Sequence, residues 1–190
     1  MNRRGVAAVA VGLALLGGAG GVAMSRAGLI GPGLVGKTAS AWQEVAWPFP
    51  RDAWPSGRAF RCHSTVCGGD VEVAIRPKLG FCNCATGVSG DSEVDAVSDV
   101  DMISEDFAPQ HSGTPVTIAT MAGRTRVYTL RMPDGSSRPA AGLAISAKCD
   151  VVVAASQGDA AGSDGAQAAI ASLIASPPMT AWLRSLLGKG

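Results

Sequence analysis

The sequence predicts an α+β fold: a four- or five-stranded, mostly antiparallel sheet with helices packed on one face, preceded by one N-terminal transmembrane or signal helix. Three observations point there. Short apolar segments with strand character recur between turn-forming residues from the middle of the chain onward. Two segments near the C-terminus carry helical periodicity instead. At the other end, Gly5 to Ser25 is uncharged and follows a basic start at Arg3 and Arg4.

That division gives three regions: 1–26, a membrane anchor or signal segment; 27–57, a Gly-rich linker and a Trp/Pro strap; and 58–190, an exported domain. About twenty helical residues cover the ~30 Å of a bilayer core, so the uncharged run is long enough to span. Its composition equally suits a secretory signal, with small residues at Gly21-Val22-Ala23 and again at Ala39-Ser40-Ala41. Under either reading the arginine pair keeps the N-terminus in the cytoplasm and places the C-terminal domain outside. The expected location is the inner membrane, crossed once, with the domain in the periplasm.

Glycines from Gly28 to Gly36 make a flexible linker. Trp47-Pro48-Phe49-Pro50 and Trp54-Pro55 then alternate aromatics with prolines, which forbids regular helix and favours an extended strap. Val71 to Ile75 alternates as a strand. Asp91 to Ile103 reads as a short helix with Val94, Val97 and either Val100 or Ile103 toward one face, capped by Ser89 or Asp91. Pro115 to Met121 and Thr125 to Met132 read as a hairpin turning at Ala122-Gly123-Arg124. Pro133 to Ser136 is a turn. Leu143 to Ala147 and Asp150 to Ala155 read as two strands or one bent strand. A helix over about Asp164 to Ala175 precedes Ser176-Pro177-Pro178, a cap followed by prolines tolerated in a first turn. Met179, Trp182, Leu183, Leu186 and Leu187 then form one apolar stripe, ended by Gly188.

The net charge of +1 argues against a nucleic-acid-binding protein, which normally carries a basic excess. Several motifs fail on context. Gly31 to Thr38 matches a phosphate-binding loop letter for letter, but no buried strand leads into it and Pro48 cuts short any following helix. Ser92, in Gly90-Asp91-Ser92, lacks an evident basic partner, since His63 and His111 are the only histidines and neither stands in a catalytic motif. Asp91, Glu93, Asp95, Asp99 and Asp101 alternate like calcium ligands. Counting from Asp91, an EF-hand loop requires Gly where Ala96 stands and Glu where Met102 stands, so that loop is excluded. These acids read as a solvated face balanced by Arg124, Arg126, Arg131 and Arg138, or as a patch for a basic partner.

The chemistry-bearing signal is cysteine. Cys62, Cys67, Cys82, Cys84 and Cys149 all lie in the exported part, where disulfides form and persist. Choosing one odd cysteine and pairing the rest gives 15 patterns (5 × 3) for the 5 cysteines. Cys82 and Cys84 are poorly disposed to bridge each other. Cys62 to Cys67, and Cys82 or Cys84 to Cys149, are reasonable bridges. The alternative is a soft-metal site, in which Cys62, His63, Cys67, Cys82 and Cys84 supply thiolate and imidazole ligands for copper or zinc. Phe81-Cys82-Asn83-Cys84 resembles the C-x-C of the membrane-anchored copper-delivery factors for cytochrome oxidase assembly, although Ala85 stands where that family has an aromatic.

The functional expectation is a non-catalytic, disulfide-stabilised accessory or binding subunit of a membrane-associated complex, needing no cofactor. Its partners would be the membrane and another membrane-associated protein, and its handles Trp42, Trp47, Phe49, Trp54, Asp95, Asp99 and Asp101. The alternative is a copper or zinc handling factor or thiol oxidoreductase working through Cys82 and Cys84.

Overall fold

In the computed structural model, residues 41–81 and 83–187 are described. The expected anchor, the glycine linker, the phosphate-loop match, Cys82 and Gly188 lie outside them. Among the described residues no helix is long and apolar enough to cross a membrane.

The fold is α+β, built on one large antiparallel sheet. It has 8 strands rather than the four or five expected. They are β1 (Trp42–Val45), β2 (Arg58–Ser64), β3 (Gly69–Lys78), β4 (Phe107–Pro109), β5 (Thr114–Ile118), β6 (Met121–Arg131), β7 (Ser137–Ala147) and β8 (Asp150–Gln157). Among the described residues three helices accompany them: α1 (Asp91–Val97), α2 (Asp164–Ile174) and α3 (Pro177–Leu186). The strand order is β1-β2-β3-β8-β7-β6-β4, and β5 also pairs with β6. The strands missed in the sequence are β1, β2 and β4. Arg58–Ser64 (RAFRCHS) sets Arg58, Arg61, His63 and Ser64 among Ala59, Phe60 and Cys62 without strict alternation, so its period is masked. Trp42–Val45 and Phe107–Pro109 are too short to show a period.

The expectation of helices on one face is corrected. Val71, Val73 and Ile75 of β3, with Val152 and Ala154 of β8, join Ile170, Ile174, Met179 and Leu183 of α2 and α3 in one apolar cluster. The alternate residues of β8, Val151 and Val153, pack with Val94 and Val97 of α1 instead. Successive side chains of a strand point to opposite faces, so α1 lies across the sheet from α2 and α3. The unbroken apolar run Val151 to Ala155 was the signal for this arrangement, since a strand covered on one face would alternate.

The helix expected over Asp91 to Ile103 breaks. α1 ends at Val97, Asp99 reverses the chain at φ 64°, and a short 3-10 turn follows over Val100–Met102. Gly90 rather than Ser89 or Asp91 stands before the first turn, and Glu93 caps it by accepting the amides of Ser89 (2.5 Å) and Gly90 (2.7 Å). Those two donors, Gly90 first, hold the Glu93 carboxyl below its ordinary value. α2 starts conventionally, with Ser163 Oγ accepting the Ala166 amide at 3.2 Å.

The expected hairpin is real but turns elsewhere. Ile118 pairs with Met121, so the turn is Ala119-Thr120, with Ala119 at φ 55°. Gly123 lies within β6, where a β-carbon would come within 2.0 Å of the Ala144 carbonyl oxygen. That glycine answers to close backbone approach, not to a turn. Asp150 to Ala155 proves a separate strand from Leu143 to Ala147: β7 and β8 form a hairpin in which Ala147 pairs with Asp150.

Candidate functional site

The α1 face of the sheet carries the charged residues, and strand parity explains why. Arg124, Arg126 and Tyr128 alternate along β6 and point to one face, where α1 presents Asp91 and Asp95. Arg124 Nη2 meets Asp91 Oδ1 at 2.7 Å, and Arg126 Nη1 meets Asp95 Oδ2 at 2.5 Å. The Gly113 amide and then Arg124 hold Asp91 below its ordinary value. Tyr128 is fully buried and donates to Asp95 Oδ1 at 2.6 Å. Burial, and then the neighbouring carboxylate, push its phenol well above the ordinary range, so it stays a donor.

A second, deeper network joins the strap to the sheet. Arg76 on β3 is 2% exposed. Its Nε and Nη2 donate to Asp99 Oδ2 and Oδ1 at 2.6 and 2.8 Å, and its Nη1 donates to Asp52 Oδ1 at 2.8 Å. Lys78, two residues on and on the same face, reaches Asp99 Oδ1 at 2.7 Å and the Val97 carbonyl at 2.9 Å. Two cations and two carboxylates therefore balance, but only with the strap in place to bring Asp52. Desolvation opposes ionisation of Asp52, but the Trp54 amide and Arg76 outweigh it and hold its carboxyl low. The strap is further seated by Trp47, whose ring lies 5.7 Å from the Arg76 guanidinium carbon. Phe49 packs on the cluster of Val100, Tyr128 and Leu130, and Trp54 meets Phe81 edge-on at 5.3 Å. Gly57 admits this seating, since a β-carbon there would lie 2.4 Å from the Trp47 ring.

Beside the strap this face holds a slot, narrow enough that the residues of its floor are only 2–6% exposed. Its floor is one cross-strand row of small residues, Ala59, Ala74 and Ala155, continued at the edge by Val45. Pro48 and Phe49 of the strap and Ile103 wall one side of a cavity of about 290 Å³. The next row toward the sheet's end is Arg61, Glu72 and Gln157. Arg61 Nε donates to Glu72 Oε1 at 2.6 Å, and Gln157 Nε2 lies 3.4 Å from Glu72 Oε2. These three residues also line an adjoining cavity of about 300 Å³ with His63, Asp70 and Arg138. His63 Nδ1 lies 2.9 Å from Asp70 Oδ1, both well exposed. Arg138 is in no ion pair among the described residues. Sequence reasoning passed over Arg61, Glu72, Gln157 and the alanine row, which become neighbours only through strand register.

The residues named as partner handles separate. Trp42 is 9% exposed and Asp99 5%, which removes both from any docking surface. Trp47, Phe49 and Trp54 are half-buried and spend their contacts within the domain. Asp95 is engaged by Arg126 and Tyr128. Asp101 is exposed beside Glu105 and Asp106.

The cysteines form two bridges, Cys62–Cys67 and Cys84–Cys149. The first ties β2 to the turn before β3, and the second closes 65 residues onto the β7–β8 hairpin. Three members of the soft-metal alternative, Cys62, Cys67 and Cys84, are thereby oxidised, and the set does not assemble. Among the described residues, no group of three or more His, Cys, Asp or Glu is placed to hold a metal ion. His63 faces Asp70, and His111 Nδ1 lies 2.9 Å from the Ser112 carbonyl, so neither described imidazole contact is to a nucleophile. Comparison with models of known protein families gives no match, and comparison with curated proteins gives none either.

Proposed function

We propose that this chain is a non-catalytic accessory or binding subunit of a membrane-associated complex. Its N-terminal segment holds it at the inner membrane, and its disulfide-bonded domain stands in the periplasm. One observation carries the reading. The charged side chains of the α1 face neutralise one another in closed networks, while a slot floored by alanines stays open beside them. Closed ion pairs hold a scaffold, whereas an open concave surface with mixed polarity suits binding. The uncharged run after Arg3 and Arg4, and the two bridges, support an exported address.

The test is affinity capture of the full chain from gently solubilised membranes, followed by reciprocal capture through the recovered partner. A stoichiometric membrane-associated partner is expected in both directions. Recovery of the chain alone overturns the reading.

A second reading, copper or zinc handling or thiol exchange, has one supporting observation: Cys84 and Cys149 are both at the surface, open to a reductant. Joint replacement of Cys82 and Cys84 by Ser should then abolish metal binding or redox activity and leave the fold intact. A double variant that merely unfolds assigns the cysteines to the scaffold.

A further inference from the structure

We infer that the slot beside the strap receives an extended segment of a partner polypeptide, carrying one bulky apolar side chain and an acidic residue four positions along. The inference rests on the accessory-subunit reading and specifies its contact surface.

Three features fix the occupant. The first is size. Ala59, Ala74 and Ala155 stand where larger residues would fill the face, and Pro48, Phe49 and Ile103 wall the resulting cavity of about 290 Å³. That space suits one aromatic or large aliphatic side chain: Pro48, Phe49 and Ile103 give it apolar walls, while Arg61, Glu72 and Gln157 also line it. The second is the neighbouring row. Arg61, Glu72 and Gln157 offer donors and acceptors side by side with their charges already paired. Such a row is poor at selecting a small ion. It matches peptide groups, each of which has one donor and one acceptor. Exposed ion pairs of this kind also yield readily to a competitor.

The third is charge. Arg138 stands at the far end of the slot, exposed and outside any ion pair among the described residues. Gly142 lies in the alanine row through its pairing with Ala155, so Arg138 is four residues along β7 from that row. The separation is about 13 Å along the strands, at ~3.3 Å per residue, and about 10 Å across the two strands from Ala74 to β7, or roughly 16 Å in all; four extended residues and the reach of the arginine side chain cover it. A carboxylate there would complete a charge-assisted pair with the Arg138 guanidinium, whose charge otherwise acts on Asp134.

The experiment uses the full chain, oxidised and in detergent, with a fluorescein-labelled, C-amidated peptide Phe-Ser-Thr-Ser-Asp read by anisotropy. Matched peptides carry Gly for Phe, or Lys for Asp. The Phe/Asp peptide should bind about tenfold more tightly than either. Ala74→Leu, which fills the floor, should weaken it about tenfold. Arg138→Glu changes an exposed side chain and leaves the fold alone; it should weaken the Asp peptide about fivefold and spare the Lys peptide. Equal affinity for the three peptides, undiminished binding to Arg138→Glu, or no saturation at ~1 mM overturns the inference. So does a dimer of the chain that the peptide cannot dissociate, or equally tight binding of free phenylalanine. If partner capture from membranes survives both variants unchanged, the slot is not the contact surface and the accessory-subunit reading stands without it.

Discussion

The two faces of the sheet are built from the same strands and solve opposite problems. The face under α2 and α3 is dry: Val71, Val73, Ile75, Ile145 and Val152 meet Ile170, Ile174, Met179 and Leu183 with almost no solvent contact. Its one prominent charge, Arg58, lies at the margin, bound to Glu44 at 2.5 Å and set against the rings of Phe60 and Trp182. The opposite face buries Arg76, Lys78 and Asp99 and carries Arg124, Arg126, Asp91 and Asp95 around its helix. Apolar packing is non-directional and tolerates small shifts, whereas buried ions require particular partners at particular distances. The dry face therefore supplies most of the stability, and the charged face fixes where α1 and the strap sit.

The sharpest way to break this contrast is Asp99→Asn. Asparagine tolerates the left-handed backbone at φ 64°, so the shape survives while the carboxylate is lost. Arg76 and Lys78 are then left buried with only the strap's Asp52. A loss of roughly 3 kcal/mol or more is expected in denaturant unfolding, with the strap released. Stability within about 0.5 kcal/mol of the parent would show that the network is not a structural keystone.

Cys149→Ser comes next, because it removes the cross-link between the two ends of a 65-residue separation. In the chain-entropy model that bridge is worth about 4 kcal/mol, and the short Cys62–Cys67 loop about 2. The order of the two losses, read by urea midpoints of the single variants, checks the assignment. A larger loss from opening Cys62–Cys67 contradicts it.

On the dry face, Leu183→Ala should cost about 2–4 kcal/mol by creating a cavity. That cost should change little between pH 4 and pH 7, since Leu183 itself packs among apolar side chains and the Arg58–Glu44 pair meets the cluster at its margin, through Met179. A cost that changes with pH would mean that the faces are coupled.

The smallest effect is expected from Asp52→Asn, about 1 kcal/mol at neutral pH after allowing for its partial exposure. Its signature is pH dependence. Asp52 titrates below its ordinary value in the folded chain, so its contribution is complete above the ordinary carboxylate pKa of ~3.9 and fades as pH falls through the folded value. Trp fluorescence of the strap should follow that loss in the parent chain, and its Asp52-dependent component should be absent from the Asn variant.

Much of the dry face was legible in the sequence. The strand at Val71 to Ile75, the helix near Asp164 and the apolar stripe from Met179 to Leu187 each follow from local periodicity, which one sheet or helix surface imposes on its own residues. The charged face was legible only in part. The acids from Asp91 to Asp106 and the arginines of the hairpin were visible as complementary sets, but Asp99 read as an exposed handle when it is the buried centre of a network. Helical spacing placed it on a polar face. The chain breaks the helix after Val97 and turns that carboxylate inward toward two cations on β3.

By itself the sequence determined the elements whose causes are local: alternating strands, capped helices and a proline-bound strap. Tertiary structure alone decided which cysteines pair, which arginine answers which acid, that helices cover both faces, and that three alanines from distant parts of the chain line up as one floor. These depend on strand register. A shift of one residue turns every side chain to the other face, and no local pattern records how segments 81 residues apart are aligned, as Ala74 and Ala155 are.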